Sequence, residues 1–116
     1  MLPRHFRLAK SSNIRDAIRR GKVYRTPYVR IYAYAAHTQV HSRVACIVGR
    51  RIHASAVVRH RFQRMLREAA RAAIATLPHP YDMVWVAKPE IVRVRSLPEL
   101  RESLRYTIEK LGKLKT

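Results

Sequence analysis

Polar and apolar positions alternate most cleanly over residues 28–35, YVRIYAYA. Tyr28, Arg30, Tyr32 and Tyr34 fall on one side of an extended chain, and Val29, Ile31 and Ala33 on the other. A period of two predicts a strand. A polar loop over 37–42 follows, starting at His37 and including His41. The run RVACIVG at 43–49 then reads as a second, well-buried strand, and DMVWVAK at 82–88 as a further one. Residues 22–25 form a short strand before Pro27.

Three other stretches carry helical period. The first is a short helix at about 13–20, with Asn13 as N-cap, Asp16 three residues on and Gly21 as the stop. Ile14, Ala17 and Ile18 share its apolar face. The longest runs over 56–77, capped by Ser55 and ended by Pro78 and Pro80. Residues 96–99, SLPE, are a capping-box sequence, after which Leu97, Leu100, Leu104, Ile108 and Leu111 recur at helical spacing. The order αβββαβα predicts an α+β sandwich with helices against one sheet. No internal repeat or low-complexity linker interrupts it, and 116 residues suit one domain, ordered over about 4–112 with fraying termini.

Charge turns this scaffold into a binder. The chain has 25 Lys+Arg against 7 Asp+Glu, a net of +18, and 17 of the basic residues but only two of the acids precede residue 78. Such a field repels itself when compact and makes sense with a polyanion to neutralise it. Arginine dominates, and its planar fork suits phosphate. The candidates are nucleic acid or an anionic membrane surface. The first residues, MLPRHFRLAKSS, contain no apolar signal core, and no apolar run approaches the roughly 20 residues of a membrane span. A cytoplasmic location is therefore expected. The lone Cys46 excludes an internal disulfide or a CxxC metal site and reads as an inert buried thiol.

The central helix concentrates the chemistry. At 100° per residue, Val58, Phe62, Met65, Leu66, Ala69, Ala72 and Ala73 gather on one arc. His60, Arg64, Arg67 and Arg71 gather opposite, within roughly 60°, flanked by Arg59 and Arg61. A merely solvated face mixes signs to gain i,i+4 pairs, yet Glu68 is the one acid in this stretch. Arg59 and Arg61 also crowd the positive end of the helix dipole, with Arg50 and Arg51 just upstream. A phosphate there would satisfy free N–H groups and these cations together. A membrane-surface helix is the poorer fit, because the apolar arc is largely alanine beyond Phe62 and Met65 and is needed as core.

The stretch 48–68, VGRRIHASAVVRHRFQRMLRE, resembles the signature of the bacterial ribonuclease P protein family. Arg50 and Arg51 match its basic pair, and Ala56-Val57 the end of its loop. Arg59 and Arg61 match the outer arginines of its Arg-Asn-Arg, Arg64 the second residue of a later basic pair, and Arg67-Glu68 its close. His60 stands in place of the Asn, and Gln63 in place of a Lys. Elsewhere the pattern fits over about 4–112. The resemblance implies a ribosomal-protein-S5-domain-2-like fold with a left-handed crossover. It implies that Arg50, Arg51, Arg59, His60, Arg61, Arg64, Arg67 and Arg71 meet the catalytic RNA subunit of ribonuclease P. It further implies that the single-stranded 5′ leader of precursor tRNA runs between the first helix and the sheet, and that the RNA subunit holds the catalytic Mg2+. The protein itself then binds no cofactor and carries no catalytic residue. Family aromatics of the first helix correspond here to Ile14 and Ile18, and the family's strand tyrosine to Tyr32.

Tyr28, Arg30, Tyr32 and Tyr34 are thus candidate leader contacts. Strand tyrosines also pack cores, although Arg30 among them favours an open face. His37 and His41 are spaced HxxxH, but in the expected polar loop rather than on a helix, and no His/Cys cluster accompanies them, so the histidines are expected at the surface or against RNA rather than on a metal. Trp85 is expected in the core. The seven acids are scattered, unlike the clustered carboxylates of a protein-only nuclease. The expected role is an accessory RNA-binding subunit that assists removal of the 5′ leader. The alternatives are a general RNA-binding or ribosomal protein and, more remotely, a protein-only nuclease. Oligomeric state is left open.

Overall fold

The computed structural model describes residues 2–35 and 41–113. His37, at the start of the expected polar loop, lies outside the described residues. Four strands, β1 (Lys22–Arg25), β2 (Val29–Ala35), β3 (Arg43–Ile47) and β4 (Tyr81–Ala87), form one sheet in the order β1-β2-β4-β3. The β1–β2 and β2–β4 pairs are antiparallel, and β3 runs parallel to β4. Three helices complete the fold: α1 (Ser11–Arg20), α2 (Ala56–Ile74) and α3 (Leu97–Lys113). Short 3-10 turns occupy Arg4–Phe6 and Pro89–Arg93. The αβββαβα order and mixed α+β class read from the sequence are those observed.

The sheet is covered on both faces. Val29, Ile31 and Ala33 of β2, Met83, Trp85 and Ala87 of β4, and Val44 and Cys46 of β3 form the main core with Phe62 and Leu66 of α2 and Leu100, Leu104 and Leu111 of α3. The alternate residues Tyr32, Tyr34, Ala45, Val84 and Val86 pack with Leu8, Ile14 and Ala17 on the other face, under α1. Strand periodicity therefore assigns α1 to one layer and the α2–α3 pair to the other. Two tyrosine hydroxyls pin α3 at its ends: Tyr28 donates to Glu99 Oε1 (3.1 Å) and Tyr81 to the Leu111 carbonyl (3.1 Å).

Helix boundaries shift from the sequence expectation. α1 begins at Ser11, with Lys10 as its cap residue, so Asn13 is inside the first turn and is not the N-cap. The start is set by Leu8, whose N–H donates to the Val44 carbonyl (2.9 Å) and anchors the entering chain to β3. Gly21 does stop α1, but with ordinary extended φ −75°, ψ 161° rather than a left-handed cap. Its requirement is space: an added Cβ would lie 2.3 Å from the Ala17 carbonyl oxygen and 3.0 Å from the Ala33 backbone. α2 starts where Ser55 predicts, its Oγ accepting from Val58 N–H (3.3 Å). It ends at Ile74, four residues before Pro78, as Thr76 N–H and Oγ both turn back to the Ala73 carbonyl. Ser96 accepts from Glu99 N–H (3.3 Å), while the Glu99 carboxylate takes the Arg95 N–H (3.0 Å), one residue earlier than a strict capping box.

Candidate nucleic-acid interfaces

α2 presents its cations as the helical spacing requires. Phe62, Leu66, Ala69, Ala70 and Ala73 are buried. Arg50, Arg51, His60, Arg61, Arg64 and Arg71 are exposed, and Arg59 and Arg67 half-buried. The rise of 1.5 Å per residue spreads Arg64, Arg67 and Arg71 over about 10 Å of helix axis. Arg50 and Arg51 lie in the loop that leads into the N-terminal end of the helix.

Two members are more than charges. Arg59 folds back, donating from one terminal nitrogen to the His53 and Ala54 carbonyls (2.9 Å each). His53 Nδ1 in turn accepts from Ser55 N–H (3.0 Å). Arg59 thereby braces the loop that carries Arg50 and Arg51, which is one physical reason for an arginine at an unfavourable dipole position. Gln63, the neutral departure from the family pattern, donates to the Cys46 carbonyl (3.0 Å) and ties α2 to the outer edge of β3. A Lys there would offer its charge to solvent or this bond, not both at once.

The second surface lies on the sheet face that α1 only partly covers. Strand register lays its residues in rows. Arg25, Arg30, Val86 and Ile47 form one row, Val23, Tyr32, Val84 and Ala45 the next, and Tyr34, Asp82 and Arg43 the third. The third row is sealed by a two-point ion pair, Arg43 Nε and Nη2 to Asp82 (2.9 and 2.7 Å), which also raises the Arg43 pKa through that hydrogen bond. The first row stays open. Ile47 is 38% exposed, and the Arg30 guanidinium carbon lies 5.7 Å from the Tyr32 ring centroid. Arg30 Nε is buried with no hydrogen-bond partner among the described residues. Among the described residues, this cation thus sits over a tyrosine ring with no ion-pair partner.

Of the expected leader residues, Arg30, Tyr32 and Tyr34 share this face, and Ile18 is 40% exposed at the edge of α1. Ile14 is packed into the cluster under α1. Tyr28 is not on this face. The alternation was carried one residue beyond β2, into a turn closed by Thr26 and Val29, where Thr26 Oγ1 accepts from Val29 N–H (3.1 Å). Tyr28 instead packs against the main core and bonds to Glu99 of α3, a hydrogen bond that raises the phenol pKa. Arg25, Val23, Ile47 and Val86 were missed, because only cross-strand register reveals them.

Among the described residues no three His, Cys, Asp or Glu side chains are grouped to hold a metal ion, and no helix is long and apolar enough to cross a membrane. Cys46 is buried, its thiol pushed up to about 12 by desolvation. Trp85 is fully buried in the core, its indole N–H without a partner among the described residues.

Comparison with known proteins places this geometry. The profile of the family described as Ribonuclease P matches residues 2–112. A ribonuclease P protein component of Syntrophobacter fumaroxidans is 31% identical over 112 residues, covering 96% of this chain and 92% of the relative. One of Mycobacteroides abscessus is 35% identical, covering 95% and 90%. In structure, the chain superposes on the ribonuclease P protein of Staphylococcus aureus with TM-score 0.78 at 18% identity, covering 93% of this chain and 95% of that one. It also superposes on that of Thermotoga maritima, solved with 1-(4-fluorophenyl)-2-thiourea, with TM-score 0.75 at 22% identity, covering 94% and 100%.

Proposed function

The chain belongs to the Ribonuclease P protein family, and from that premise we propose that it seats itself on the catalytic RNA subunit through α2 and guides the 5′ leader of precursor tRNA along its open sheet face. As a ribonuclease P protein component it is part of a ribonucleoprotein that processes tRNA. The observation that carries the finer reading is the separation of the two surfaces. α1 and α2 lie on opposite sides of the sheet, so one small protein can touch two RNAs without either blocking the other.

Each surface suits a different task. The α2 face is arginine-rich and rigid, which fits the sugar-phosphate backbone of a folded RNA. The sheet face offers Tyr32, Tyr34, Arg30 and the apolar Ile18 and Ile47, which fit unpaired bases that stack. Chemistry belongs to the RNA subunit, which holds the Mg2+ ions. The protein lowers electrostatic repulsion between two polyanions and orients the leader, and it does so in the cytoplasm. Reconstitution tests this. At low Mg2+, adding the protein to a bacterial ribonuclease P RNA should raise cleavage of precursor tRNA. No rise would leave a general RNA-binding protein, and cleavage by the protein without RNA would make it a nuclease in its own right.

A further inference from the structure

A cluster of three rings lies beyond the last arginine of α2, outside both surfaces above. Phe6 sits 4.1 Å from His5, tilted by 53°, and 5.4 Å from His41, edge-on at 89°. The two imidazoles are 5.1 Å apart. Phe6 is half-buried and packs against the main core, whereas His5 and His41 are exposed. The core explains Phe6 but not the imidazoles, neither of which makes a hydrogen bond among the described residues. Phe6 also walls a recess that it shares with Arg71 of α2 and Arg101 of α3, where Glu68 is the one acid. On its other side, Phe6 and His41 border a second recess against His79 and Pro80.

We propose that His5, Phe6 and His41 form a stacking site for an unpaired nucleobase of the RNA subunit. The inference rests on the reading that α2 binds that subunit. Arg71 is both the last arginine of the α2 stripe and a wall of the Phe6 recess, so RNA held along the helix reaches the rings without leaving positive surface. Exposed rings beside cations are what a base and its phosphate need together. A paired base offers no free face, so the occupant is single-stranded. An apolar peptide would gain the ring contact but would make no use of the cationic wall of Arg71 and Arg101.

The full chain and a bacterial ribonuclease P RNA transcript provide the test. The double variant His5→Ala/His41→Ala should weaken RNA-subunit binding by about fivefold or more, the lower end expected for losing one stacked base. The double variant His5→Phe/His41→Phe keeps flat rings and should bind within about twofold of the wild type by the same reasoning. Both imidazoles are exposed, so the thermal midpoint checks that folding is intact. An unchanged Kd for the Ala pair overturns the proposal, as does an equal loss in the Phe pair, which would assign the effect to imidazole charge. A loss confined to precursor tRNA binding by the assembled complex would overturn the assignment to the RNA subunit. Arg61→Gln/Arg64→Gln, measured alongside, separates the two readings. If it weakens binding while the Ala pair does not, only the stacking site fails; if neither weakens binding, the α2 interface fails with it.

Discussion

Replacing Arg61 and Arg64 together by Gln gives the cleanest perturbation of the α2 surface. Both are exposed, and neither makes an ion pair or hydrogen bond among the described residues, unlike Arg59, which braces the loop before the helix. Each phosphate contact adds about 0.7 to 0.9 to the slope of log K against log salt, through counterion release. Losing two should therefore flatten that slope by about 1.4 to 1.8. Between 50 and 200 mM salt, a fourfold change, the affinity gap between wild type and variant should narrow by roughly tenfold on the same arithmetic. The assay is binding to a ribonuclease P RNA transcript across a salt series. The free protein offers a second readout. Removing two members of a like-charged cluster should leave Tm close to the wild-type value, because the fall in repulsion offsets the loss of the Arg61 contact with the Phe62 ring (5.4 Å). Parallel salt slopes would refute the interface, and a large fall in Tm would show that these arginines serve the fold instead.

Other outcomes follow from the remaining geometry. Tyr32→Ala should weaken precursor tRNA binding more than mature tRNA binding, by a stacking loss of about 1–3 kcal/mol, whereas Tyr28→Phe should leave that ratio untouched and lower stability slightly through loss of the bond to Glu99; competition binding and denaturant melts separate them. Gly21→Ala should destabilise by about 1–3 kcal/mol through overpacking against the Ala17 and Ala33 backbone, read by thermal melting. Cys46, with its thiol held neutral up to about 12 against an ordinary 9.0, should resist a thiol reagent until the protein unfolds. Because the folded-state value is the raised one, its contribution is whole below pH 9 and drains away between 9 and about 12. Denaturant stability should fall across that window, and less steeply in Cys46→Ala.

Sequence carried much of this because its strongest signals are local. The α2 cap at Ser55, the burial of Phe62 and Leu66, and the opposed arginine face all follow from spacing within one helix. The alternation of β2 likewise put Ile31 and Tyr32 on opposite faces, and Ile31 is buried in the main core while Tyr32 packs in the cluster under α1. Errors arose where distant contacts decide. Asn13 is a plausible cap by residue type, but α1 already starts at Ser11 with Lys10 as the cap residue, just after Leu8 docks on β3. Tyr28 looked like a member of the tyrosine face until the Thr26–Val29 turn broke the alternation. The open row of Arg25, Arg30, Val86 and Ile47 joins four strands, and nothing in any one strand encodes its neighbour's register.

The Gln63 bond to the Cys46 carbonyl has a consequence for the free protein. β3 is an outer strand, and outer strands template aggregation through their unpaired backbone groups. Here Leu8 N–H covers the Val44 carbonyl and Gln63 covers that of Cys46, while the opposite outer strand, β1, is only four residues long and carries Lys22 and Arg25. Both margins of the sheet are thus poor templates for a second copy adding in register. A chain this basic must persist between its synthesis and its capture by RNA. At position 63, a residue that surrenders a positive charge helps it stay dispersed during that wait.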